Sequence, residues 1–284
     1  MLYVDFESLA FEIMDDIGTF GFQSLTNLLP NSDAQTTLLV DDIPIEEIGF
    51  IDPVHFTSQL HEIFAGFQAH ALGTEQLDGT DGKEVLYGGG DNQTIFAHDG
   101  NDVAFGGSGN DLIFAGEGDD RAYGNAGDDV VFAGHGDDVA FGGAGSDLVS
   151  SGSGDDVVKA GSGNDAVAGN AGDDFVSGGL GDDLIFDGSG SDHASGGKGD
   201  DVFIYRAEWA EATDEDVFLG GLGDDTLLIV ASQTVDDVAA FMDDNNLTAV
   251  SVENIEVITA AELADYDFGT LAGVAESADL FGFM

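Results

Sequence analysis

From Gly79 to Ile204 the chain keeps an unbroken nine-residue period, fourteen lines of nine, and no other feature restricts its fold as strongly. A regular internal repeat takes precedence over local secondary-structure signals, because one unit of this size buries nothing by itself. Numbering each line from position one (Gly79, Gly88 and so on), position four is glycine in every line except the second, which carries Asp91. Position six is aspartate in twelve consecutive lines: Asp102, Asp111, Asp120, Asp129, Asp138, Asp147, Asp156, Asp165, Asp174, Asp183, Asp192 and Asp201. The first two lines carry Glu84 and Gln93 there. Position eight is always apolar, from Leu86 and Ile95 to Ala194 and Phe203.

Each line reads as a glycine-rich turn followed by a three-residue strand. Alternation along a strand sends position eight to one face and positions seven and nine to the other. Position eight never carries charge and is expected inside. Position seven accepts Arg121 and His193, and position nine accepts Lys159, so both are expected outside. Two lines per coil make two parallel sheets whose inner side chains meet. Seven such coils, at about 4.7 Å each, form a roll roughly 33 Å long. A further line in the same idiom, Gly220 to Leu228, follows an out-of-phase insertion that holds Trp209.

Charge restricts what this roll can meet. The chain has 57 acidic residues and 5 basic ones, a formal net charge of −52. Phosphate contacts need lysine and arginine, so nucleic acid is excluded as a partner, and strong binding to an anionic membrane is unexpected. A hydrophobic fraction of 43% suits a folding chain rather than a disordered acidic one. The natural partner is a hard cation. Stacked coils place Asp102 beside Asp120 and Asp111 beside Asp129, a ladder of like charges that repel by several kcal/mol at an effective dielectric near 20. Glycine turns add backbone carbonyls with no strand partner. Gly107, Gly109, Gly116, Gly118, Gly134, Gly136, Gly143 and Gly145 are the expected contributors alongside the twelve aspartates. Carboxylates and carbonyls together form an all-oxygen shell that suits several calcium ions better than magnesium, which demands a tight octahedron.

The pattern G-G-x-G-x-D-x-U-x resembles the glycine- and aspartate-rich nonapeptides of RTX (repeats-in-toxin) proteins. The resemblance covers 79–204 and 220–228. It implies a right-handed parallel β-roll (β-solenoid) with calcium in the turns, and export by type I secretion through an uncleaved C-terminal signal. The tail "AESADLFGFM" is the expected place for that signal. Lines one and two, lacking the aspartate, are expected to bind weakly or to cap the roll.

The fold class expected is therefore mainly β. Residues 1–76 read as a small helical N-terminal region, with Asp52 and Pro53 opening the clearest helix and Gly73 ending it. Residues 205–284 read as a mixed C-terminal cap, with a short helix over Val235 to Met242 and a strand over Val250 to Ile258. No lysine or arginine occurs in residues 1–82, so no basic signal-peptide start is present, and no run of 18 apolar residues spans a membrane. Cysteine is absent.

Catalytic motifs are missing. "HEIFA" at His61 to Ala65 lacks the second histidine of a zinc protease, and neither a G-x-S-x-G elbow nor a P-loop occurs. A non-enzymatic protein is expected. Position nine carries an aromatic in seven successive lines (Tyr87, Phe96, Phe105, Phe114, Tyr123, Phe132 and Phe141), with Phe186 later. Odd and even lines divide these into one outward ladder per sheet, to be covered by the chain's own termini or by a partner. The expected role is that of an extracellular or cell-surface calcium-binding protein of structural, adhesive or matrix type. The competing reading is a secreted effector acting through the N-terminal region.

Overall fold

The computed structural model describes residues 75–209, 213–232, 237–263 and 266–271, with 235, 273 and 275 besides. The expected N-terminal helices and the final "AESADLFGFM" lie outside the described residues, apart from Ala275.

Among the described residues, strands alternate between two parallel sheets, one of ten strands and one of nine. Successive strands in a sheet pair 18 residues apart: Ile95 with Ile113, Ile113 with Val131, Ala122 with Ala140. The nine-residue period thus becomes half a coil. A six-residue strand such as Val103–Ser108 takes positions seven to nine of one line and one to three of the next. Positions eight and one are both buried on it, and the flanking positions are more open. The core is one column of small and branched side chains, including Ile113, Ala115, Val131, Ala133, Val149 and Val167. Position one inside was not foreseen. Glycine, alanine and serine at that place carry no hydrophobic signal.

Pairing continues past Ile204. Val217–Leu222 and Thr226–Val230 add a coil, and Thr248–Val250 and Asn254–Ile258 add another. The single strand expected over Val250 to Ile258 is therefore two short strands on different sheets, separated by a turn at Ser251 with φ 54°. The expected helix is found as Val238–Asp244, capped by the Asp237 carboxylate, which accepts from the Ala240 N–H at 3.1 Å.

The outer faces differ. On the ten-stranded sheet, Leu148, Leu184, Phe186, Ile204 and Leu228 pack under Leu263, Leu271 and Ala275 of the C-terminal segment. Thr270 ties that segment to the roll by donating to Asp182 at 3.0 Å. The Phe96–Phe114–Phe132 ladder on this sheet is stacked at 5.4 and 5.1 Å and buried. It is one of the two outward ladders expected to be covered, by the chain's own termini or by a partner. The nine-stranded sheet keeps its ladder at the surface: Tyr87, Phe105, Tyr123 and Phe141 stack at 5.1, 4.8 and 5.0 Å, and Tyr87 is 68% exposed.

Candidate metal centre

All twelve position-six aspartates end a turn and are buried to 2% exposure or less. Their two carboxylate oxygens have different fates. Oδ1 accepts from the backbone N–H of the aspartate one coil earlier: Asp102 donates to Asp120 and Asp111 to Asp129, both at 2.7 Å. The same bond recurs up to Asp183 donating to Asp201, at 2.9 Å. The ladder then passes through Asp216 and Asp225 and ends on Glu253. Oδ2 has no hydrogen-bond partner in any of the twelve, although it is fully buried.

Such an arrangement is costly when ionised. Burial pushes the Asp111 carboxyl up to about 6 against the hydrogen bond from Gln93 that lowers it. Deeper in the roll burial raises Asp138 to about 8, opposed by the Asp120 N–H and reinforced by the charges of Asp156 and Asp120. Asp192 is raised to about 9 by burial and then by the charge of Asp187. A buried anion persists only if it is protonated or paired with a cation.

The remaining donors suit calcium. Gly107, Gly109, Gly116, Gly118, Gly134, Gly136, Gly143 and Gly145 all have positive φ. At Gly118 (φ 125°) an added Cβ would lie 1.9 Å from the Gly100 carbonyl oxygen of the coil before. The bare glycine is therefore required, because the Gly100 carbonyl oxygen occupies the place a side chain would take. At position two His98, Asn125 and Asn170 replace glycine with φ 72°, 78° and 73°, a region that His and Asn enter more readily than other side chains. Orphaned carboxylate oxygens, backbone carbonyls and no sulfur make a hard-donor set. The twelve aspartates named from the sequence supply the unpartnered carboxylate oxygens, and the eight glycines lie in the turns beside them in sequence.

A second ladder escaped sequence reasoning. Position-five side chains at the turn surface accept from the backbone N–H one coil later, as Asn110 does from Asp128 (3.0 Å) and Asp137 from Asp155 (3.1 Å). This direction is opposite to that of the buried ladder. The signal was the recurrence of Asn, Asp or Ser at position five. Gln93 behaves differently from the aspartates: its Oε1 already accepts from the Gly89 N–H at 3.0 Å.

A family model described as the RTX calcium-binding nonapeptide repeat matches the chain four times, at residues 78–113, 114–149, 150–185 and 177–206. No curated protein matches the sequence.

Proposed function

The chain belongs, through residues 78–206, to the RTX calcium-binding nonapeptide-repeat family, and from that premise we propose that it is a secreted protein that folds on meeting extracellular calcium and then serves a structural, adhesive or matrix role. The observation that carries this reading is the row of buried, unpartnered Oδ2 atoms along the position-six aspartates. Calcium in the turns would cancel the charge that burial penalises and tie each coil to the next. The chain's own contribution is to hold those oxygens in register through the Oδ1 bonds and to exclude water from them. Extracellular modules bind calcium at about 10⁻⁴–10⁻³ M, so the chain stays open in a calcium-poor cytosol and closes outside.

The outer face of the nine-stranded sheet supports the adhesive part. Val85, Tyr87, Phe175, Leu180, Leu219, Leu222 and Val250, the large apolar side chains most exposed among the described residues, all sit on its strands. Exposed apolar side chains gathered on one face, with the Tyr87–Phe105–Tyr123–Phe141 stack among them, support an interaction surface there. Size-exclusion chromatography with light scattering tests the two parts together. An expanded monomer without calcium and a compact, self-associating species with millimolar calcium is the expected pair of results. A compact monomer under both conditions contradicts the proposal.

A further inference from the structure

Asp187 interrupts the core from within. It occupies position one, which faces the interior and elsewhere carries residues such as Ala115, Gly124, Ala133 and Ser151. Here that inward residue is a carboxylate with 2% exposure. Position one looks directly at the orphaned oxygen of its own line: a Cβ built on Gly178 would lie 2.3 Å from Asp183 Oδ2. In the line of Asp187 the corresponding aspartate is Asp192. One oxygen each from Asp187, Asp192 and Asp216 lies within 4.8 Å of the others, and all three residues are buried. The Oδ2 atoms of Asp187 and Asp192 have no hydrogen-bond partner.

Tyr205 adds an independent observation. Phe186 pairs with Ile204, so Tyr205 follows Asp187 in register one coil on. Its side chain is 1% exposed, packs edge-on against Phe218, and its buried hydroxyl has no hydrogen-bond partner. Burial raises the phenol, and the charges acting on it are those of Asp216, Asp187 and Asp214, in that order. A buried, unpartnered hydroxyl therefore lies within electrostatic reach of Asp216 and Asp187, two of the three carboxylates. Spacing also changes at this place. Asp192 and Asp216 are 24 residues apart, where Asp174 and Asp192 are 18 apart, so the chain segment leading to Asp216 is longer than its predecessors.

We propose that Asp187, Asp192 and Asp216 form a calcium site inside the roll, in which Asp187 adds a third carboxylate from the core to two members of the turn ladder. It rests on the calcium reading of the roll. Two of these residues belong to the buried ladder, and each already gives Oδ1 to a backbone N–H. Asp187 contributes an oxygen that no other line has to offer. Three carboxylates in an apolar column without a cation are too costly to persist as ions. One divalent ion offsets most of that charge.

The test compares calcium stoichiometry and affinity, by equilibrium dialysis and calorimetry, in the full chain and in Asp187→Asn and Asp187→Gly. Glycine is the residue of the flanking lines at Gly178 and Gly196, so this variant fits the roll without overpacking. Both variants are expected to bind one ion fewer and to lose the tightest class of site, while the roll forms at saturating calcium. Unchanged ion number and affinity in Asp187→Asn would overturn the inference and leave Asp187 as a protonated core acid. Absence of calcium uptake by the unaltered chain would instead sink the calcium reading on which the inference rests.

Discussion

At the scale of one residue, the position-six aspartate has two separable tasks. Oδ1 closes a backbone N–H of the preceding coil, and Oδ2, buried without a hydrogen-bond partner, is the oxygen the proposed function assigns to a cation. Asp147→Asn keeps an acceptor for Asp129 but removes the charge; its expected effect is weaker calcium binding. Asp147→Ala removes both and leaves the Asp129 N–H buried and unpaired, at about 1–3 kcal/mol beyond the loss of the ion. Calcium titration followed by denaturant unfolding separates the two variants; equal behaviour would show that Oδ1 has no structural task. Gly118→Ala puts a Cβ against the Gly100 carbonyl at a backbone angle that disfavours side chains. It is expected to destabilise the calcium-bound roll by about 1–3 kcal/mol, and a midpoint equal to that of the unaltered chain would contradict the close packing. Much of this was legible in the sequence. Aspartate at a fixed place in twelve lines announces an oxygen ladder. Its hidden half was not legible, because a formal negative charge suggests exposure and conceals a buried acceptor.

At the scale of the strand and turn, apolar position eight announced the core, whereas position one was silent because Gly and Ala fit either side of a sheet. The unequal outer faces could not be read from the repeat at all. They depend on Leu263, Leu271 and Ala275, scattered residues whose register against Phe186 and Leu228 only tertiary packing supplies. The open ladder gives a prediction of its own. Tyr123 lies between Phe105 and Phe141, so Tyr123→Ser is expected to weaken calcium-dependent self-association without loss of the β signal. Light scattering that reports the same association state would remove this ladder from the interface. The turn carboxylates yield a pH dependence. Their folded values lie above the ordinary carboxylate range, at about 7 for Asp120 and Asp174 and about 8 for Asp183, with burial as the largest cause. The folded ion-free roll therefore holds more protons than the open chain, so its stability is fully present below about pH 4 and falls as pH rises toward 7–8. Calcium-free protein is expected to gain β structure between pH 8 and pH 5, and calcium affinity to fall over the same interval as protons compete. A calcium-free spectrum insensitive to pH would contradict the burial of these groups.

At the scale of the whole molecule, 57 acidic residues against 5 basic ones would be an obstacle to any compact ion-free state. The roll turns that charge into a requirement for cations, and its glycines, which lose the most entropy on ordering, deepen the requirement. On the proposed function, folding and ion binding are one event, with binding free energy supplying folding free energy. Far-UV circular dichroism of the full chain at neutral pH, in EDTA and then in millimolar calcium, tests this most directly. The account predicts a disordered spectrum in EDTA that converts to β on adding calcium and returns on chelation. The same β spectrum in both solutions would contradict it.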